Sequence, residues 1–165
     1  MVQGNKSNMI GAIICGAQKA GTTSLSYYLR QHPELEVSRE ELHFFDNEKI
    51  NWESPNYKDY ENKFRAPNKI KIDHTPIYMF LNPCCARIHR YNPDMKIIAI
   101  LRNLTDRSYS QWAMEYNRGR ETLSLAQALQ REINANEYSN NKQHRVRSYI
   151  KRGMYSNQTK RLWNC

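Results

Sequence analysis

Apolar positions along this chain follow two alternating rhythms, and the alternation lays out its elements. Residues 9–15 (Met9-Ile10-Gly11-Ala12-Ile13-Ile14-Cys15) form an unbroken apolar run, which predicts a buried strand. Residues 22–31 change to helical spacing, with Leu25, Tyr28 and Leu29 on one face and His32-Pro33 ending it. Residues 35–38 predict a short strand and residues 39–56 a loop with some helix. Residues 56–64 predict a short helix with Tyr57, Tyr60 and Phe64 on one side. Residues 70–73 predict another strand, and 83–91 a helix with Pro83 in its first turn. Residues 96–101 are the strongest strand signal after the first. Asn103, with Asp106 three residues on, is placed to cap the next helix. There Tyr109, Trp112, Ala113 and Tyr116 recur at i, i+3, i+4, i+7, which predicts a core face. A helix over 123–134, an exposed polar loop over 134–143 and a helix over 145–163, weakened at Gly153, complete the pattern.

This order predicts an α/β fold: a P-loop-like three-layer sandwich with a central parallel sheet flanked by helices. No strand returns to the sheet after the last helix. The 165 residues therefore read as a single domain, incomplete at the C-terminus.

Composition narrows the function classes. The chain is 39% hydrophobic and 25% charged, and no apolar run approaches the ~18 residues of a membrane span. The first eight residues lack the layout of a secretory signal, so a cytoplasmic location is expected. Cys15, Cys84, Cys85 and Cys165 show no metal-ligand spacing; four free thiols and no metal site are expected. The net charge of +9 points to an anionic ligand or polymer. Nucleic acid is not the expected partner, because no zinc-finger or RNP-type spacing accompanies the charge.

The chemistry concentrates in residues 16–25, Gly-Ala-Gln-Lys-Ala-Gly-Thr-Thr-Ser-Leu. Strand, glycine-bounded turn and helix start make an anion cradle of backbone N–H groups at the positive end of a helix dipole. The Gly-x4-Gly spacing is that of a Walker A loop, but Thr22 follows the second glycine and the lysine stands inside the loop, at Lys19. The strand over 96–101 ends in Arg102-Asn103, where a P-loop NTPase has its Mg²⁺-binding Asp. Both anchors of ATP chemistry are replaced. A bound anion would meet Lys19, the loop backbone and the hydroxyls of Thr22, Thr23 and Ser24. Arg102, at the carboxyl end of a parallel strand, offers a fork of donors to a second phosphate.

In these residues the chain resembles the sulfotransferases that use 3′-phosphoadenosine 5′-phosphosulfate (PAPS), and more narrowly their bacterial and heparan-sulfate-type branch. Residues 16–25 resemble the family's 5′-phosphosulfate loop. Residues 101–110 resemble its 3′-phosphate motif, with Leu104 in place of a usual proline. Residues 40–46 (Glu-Glu-Leu-His-Phe-Phe-Asp) resemble the segment carrying its catalytic glutamate, and residues 75–78 and 152–155 resemble two further landmarks. The resemblance spans about residues 10–163, in the family's order.

It implies that Gln18, Lys19, Ala20, Gly21, Thr22, Thr23 and Ser24 hold the phosphosulfate, and that Arg102 and Ser110 hold the 3′-phosphate. Lys19 would neutralise the leaving oxygen, and Glu41 would take the proton of a hydroxyl or amine on a small-molecule or glycan acceptor. PAPS would enter and 3′,5′-adenosine bisphosphate (PAP) leave, without a metal. Asp73-His74 replaces a common Glu-Lys pair, so His74 is either a hydrogen-bond donor or a base competing with Glu41. Glu40 remains an alternative to Glu41, and His43 reads as packing beside Phe44 and Phe45. Two other functions stay open: a truncated, non-catalytic member that binds PAPS or PAP, and a P-loop nucleotide kinase, which Thr22 and Arg102 disfavour.

Overall fold

The apolar run beginning at Met9 becomes an inner strand of a parallel sheet, because its side chains on both faces find apolar partners. The computed structural model describes residues 9–135 and 143–163. Its elements are β1 (Ala12–Gly16), α1 (Thr22–Leu29), β2 (Leu35–Val37), α2 (Lys58–Glu61), β3 (Ile70–His74), α3 (Asn82–Tyr91), β4 (Lys96–Ala99), α4 (Leu104–Asn117), α5 (Leu125–Asn134) and α6 (Tyr155–Trp163). The strands lie in the order β2-β3-β1-β4, every pair parallel. Alternate residues of β1 sort onto opposite faces. Ile13 and Cys15 join Phe45, Tyr60, Met79, Cys84 and Ile88 in the larger core cluster. Ala12 and Ile14 join Val37 and Ile72, covered by Leu25 and Leu29 of α1. The expected α/β three-layer arrangement is therefore present, with β2 and β4 at the sheet edges.

Three local expectations are corrected. Residues 39–56 contain turns and no helix. The aromatic stripe of α4 is not its core face: Tyr109 is 56% exposed and Tyr116 49%, whereas Arg107, Gln111 and Glu115 are buried. That face of α4 packs on an irregular segment whose carbonyls need donors. Arg107 donates to the Tyr149 carbonyl, and Gln111 Nε2 donates to the Val146 carbonyl at 2.8 Å. The cap itself forms as expected, Asn103 Oδ1 accepting from the Thr105 and Asp106 N–H groups at 3.0 and 3.4 Å.

Residues 145–163 are likewise not one helix. They hold a 3₁₀ turn at Lys151–Gly153 and then α6. The reason is the buried carboxylate of Glu132, which accepts the N–H groups of Tyr149, Ile150 and Lys151 at 2.7, 2.9 and 2.9 Å. Three donors are drawn onto one side chain and away from a helical ladder. Gly153 permits the close approach to α4, since a Cβ there would lie 3.3 Å from Leu104 Cδ2. Glu132→Ala should orphan all three donors, costing at least about 3 kcal/mol and lowering Tm by roughly 6–12 °C. A thermal melt with Tm within about 2 °C of wild type would contradict this account.

Cys15 and Cys84 are free and buried, and burial pushes both thiols up to about 12. Cys85 is disulfide-bonded, which corrects the expectation of four free thiols. Neighbours on a helix point about 100° apart, so Cys84 faces the core while Cys85 Sγ lies 3.4 Å from the Arg161 carbonyl of α6. Cys165 lies outside the described residues. No helix among the described residues is long and apolar enough to cross a membrane.

Candidate functional site

The cradle begins where β1 ends. Gly16 is obligatory there: a Cβ would fall 2.6 Å from Met79 Cβ. The loop then turns through Lys19 at φ 73° and Gly21 at φ 100°, both left-handed. A non-glycine residue in that region costs about 1–2 kcal/mol, so surrounding bonds must hold Lys19 there. The Ala17 N–H donates to the Ile100 carbonyl at 2.8 Å, and the Ala20 N–H to the Ala17 carbonyl at 3.0 Å. Arg102 Nη1 donates to the Lys19 carbonyl at 3.3 Å, tying the end of β4 to the loop. Gly21 has no side chain to cap α1. The first N–H groups of the helix are left for a ligand, where the helix dipole favours an anion.

A cavity of about 380 Å³ opens over this turn. Gln18, Lys19, Gly21, Thr22 and Thr23 line it from the loop, Glu41 from beyond β2, Arg102 from the end of β4, and Ser110 from α4. Eight residues singled out from the sequence thus meet in one place. Ala20 packs against the larger core, Ser24 is exposed, and His74 is 5% exposed; none of these three lines the cavity. Met114 and Arg118 do line it, and Lys19 Nζ lies 3.7 Å from Met114 Sδ. Neither was foreseen, although Ser110, Met114 and Arg118 repeat at i, i+4, i+8 on one helix face. Among the described residues that line it, Lys19, Arg102 and Arg118 set three cations against the one carboxylate of Glu41, a balance suited to a polyanion. Arg152 was also missed as a support. It is 1% exposed, donates to Gln18 Oε1 and to the Arg145 carbonyl, and its guanidinium lies 4.7 Å from the Phe80 ring centre.

The acidic side of the cavity is held by β3. The Leu42 N–H donates to Thr75 Oγ1 at 3.0 Å, and the Phe44 N–H to the Tyr78 hydroxyl at 2.8 Å. Thr75 in turn donates to Asp73 Oδ1 at 2.6 Å, and Tyr60 to Asp73 Oδ2 at 2.9 Å. Burial pushes the Asp73 carboxyl up to about 6 despite these bonds. His43, at φ 51°, bridges two carboxylates: Nε2 lies 3.3 Å from Glu41 Oε2, and Nδ1 3.0 Å from Asp46 Oδ2. Its expected packing role is corrected to a polar one. The adjacent backbone turn swings the ring out from between Phe44 and Phe45, leaving the side chain 49% exposed.

The hydrogen bond to Asp46, and then that to Glu41, raise His43 to about 10. Burial opposes ionisation of Asp46, but hydrogen bonds from His43 and Arg145 outweigh it and hold that carboxyl below its ordinary range. An imidazole raised in the folded state stabilises the fold fully below pH 6.5, and that contribution fades as pH climbs toward 10. An NMR titration should find His43 charged through pH 8, with Asp46→Asn lowering its midpoint by about one unit or more. An ordinary midpoint near 6.5 in the wild type would dismiss the bridge. His74 differs: burial lowers its pKa, and its Nε2 finds no hydrogen-bond partner among the described residues.

The loop, the arginine at the end of β4 and the glutamate opposite can now be set beside known proteins. The family model for the sulfotransferase domain matches residues 11–165. The chain belongs to the sulfotransferase family. Human heparan sulfate glucosamine 3-O-sulfotransferase 5 is 32% identical over 101 residues, covering 61% of this chain and 29% of that protein. Human heparan sulfate glucosamine 3-O-sulfotransferase 6 is 32% identical over 105 residues, 62% of this chain and 29% of that protein. The matched stretch of this chain thus spans about three-tenths of those relatives' length. A crystal structure of a sulfotransferase from Alicyclobacillus acidocaldarius matches with a TM-score of 0.78 and 28% identity, over 94% of this chain and 68% of that one. The four-stranded parallel sheet and its flanking helices are therefore a sulfotransferase arrangement.

Proposed function

We propose that this sulfotransferase domain binds PAPS in the cavity over the Gly16–Gly21 turn and transfers its sulfuryl group to a hydroxyl or amine. One observation carries the reading: Lys19, Arg102 and Glu41, distant in sequence, line one cavity above an uncapped helix N-terminus. The loop from Gln18 to Ser24 would hold the phosphosulfate and Arg102 with Ser110 the 3′-phosphate. Glu41 would take the acceptor proton as the new oxygen–sulfur or nitrogen–sulfur bond forms. The bond from sulfur to the phosphate oxygen breaks, and Lys19 meets the charge left on that oxygen. PAP is the product. A sulfuryl group carries less negative charge than a phosphoryl group, so a positioned lysine answers the need that a metal meets in kinases. His43, bonded to both Glu41 and Asp46, orients the base. His74 lies outside the cavity lining, which favours Glu41 as the base. The relatives named for heparan sulfate glucosamine favour a glycan acceptor.

Calorimetry tests the donor reading. PAP should bind without metal and in preference to ATP–Mg²⁺, and Arg102→Ala should weaken PAP by about tenfold or more, as expected for losing a charged hydrogen-bond donor. Preference for ATP–Mg²⁺ would overturn the proposal in favour of a nucleotide kinase. Intact PAP binding with no transfer from labelled PAPS to a panel of sugars and phenols would favour the binding-only reading.

A further inference from the structure

A second and larger cavity, about 790 Å³, runs along the outer edge of β2, within the size range of ligand sites. Its floor is apolar, from Leu35, Val37, Leu42 and Phe64. Its rim is cationic, from Arg30, Arg39, Lys63, Arg65 and Lys69, all exposed. No carboxylate among the described residues forms an ion pair with any of the five. Two acids also line it, but one is already engaged. Glu36 accepts the Arg65 and Ala66 N–H groups at 2.8 and 2.9 Å, fixing that loop to the sheet edge. Glu40 is the other.

The position of this cleft matters as much as its charge. Ser38, Arg39, Glu40 and Leu42 form one of its walls, while Glu41, in the same segment, lines the donor cavity. One stretch of backbone separates the two cavities, with the carboxylate assigned as base on one side and the cationic rim on the other. A chain whose reacting group met Glu41 would cross this wall and lie along β2. Apolar floor and charged rim together suit sugar rings that carry carboxylate or sulfate groups.

We infer that the β2-edge cleft is a binding site for the anionic flank of a glycan acceptor, continuing from the reacting unit at Glu41. The inference rests on the reading of Glu41 as the acceptor-side base. Calorimetry with a heparin-derived hexasaccharide tests it, comparing wild type with the triple variant Lys63→Ser, Arg65→Ser, Lys69→Ser. These side chains are exposed, and none lines the donor cavity. The variant should bind the hexasaccharide about tenfold more weakly, with a shallower dependence on salt and unchanged affinity for PAP. Equal hexasaccharide binding by the two proteins, or none by the wild type, overturns the inference. So does a short single-stranded RNA, or a phosphatidylglycerol vesicle, that binds more tightly than the glycan and loses affinity in the variant. Failure of wild type to bind PAP would instead overturn the donor reading, and the glycan comparison would still decide the cleft.

Discussion

Lys19→Ala is expected to lower sulfate transfer by about 10²–10³-fold, the loss typical of removing one donor aimed at charge that develops in the transition state. The effect should fall mainly on the chemical step. Lys19 Nζ contacts Met114 Sδ, so its removal orphans no buried polar group. The loop's shape depends on bonds donated by the Ala17 and Ala20 N–H groups and by the Arg102 side chain to the Lys19 carbonyl, which alanine leaves in place. Single-turnover transfer from labelled PAPS, measured beside calorimetric PAP affinity, separates the two contributions. A loss of transfer below about tenfold would remove Lys19 from the leaving-oxygen role. Equal losses in transfer and PAP affinity would make it a binding residue only.

Glu41→Gln should be at least as damaging, about 10²–10⁴-fold, because an amide of the same shape cannot accept the proton. Glu40→Gln is the control. Glu40 lines the β2-edge cleft and Glu41 the donor cavity, so Glu40→Gln should spare the chemical step, its effect being confined to acceptor affinity. If Glu40→Gln abolished transfer and Glu41→Gln did not, the assignment of the base would be reversed.

These two residues mark how far the chain could be read before its fold was known. Lys19 is legible because every contact that defines the cradle is local: strand end, glycine turn and helix start lie within ten residues. Arg102 is legible for the same reason, standing where a strong apolar strand stops. Glu41 was tied to these only through family resemblance, since no local pattern shows that residue 41 faces residue 19. His43 illustrates the limit. Its neighbours Phe44 and Phe45 suggest packing, but its partners are carboxylates on either side, selected by a left-handed turn at its own backbone.

The C-terminal third shows the same boundary more strongly. The aromatic stripe on α4 satisfies the periodicity of a core face, yet the face that is buried carries Arg107, Gln111 and Glu115. Periodicity reports which residues share a face and assumes that the facing surface is apolar. Here the facing surface is backbone, and charged and amide side chains fill it. Glu132 breaks the helix read over residues 145–163 by gathering three N–H groups from a segment 17–19 residues away. Nothing in the spacing of either segment announces that meeting.

The amino-acid order alone therefore determined the strand–helix alternation, the anion cradle and the exchange of a metal-binding acid for Arg102, because each rests on contacts between near neighbours. Only the tertiary structure decided that Glu41 rather than Glu40 shares the cavity with Lys19, that Arg118 joins them, that Arg152 braces Gln18, and that the cations of the β2 edge line one cleft. Those outcomes depend on which distant segments pack together, and hydrogen-bonding demand, as much as hydrophobicity, makes that choice.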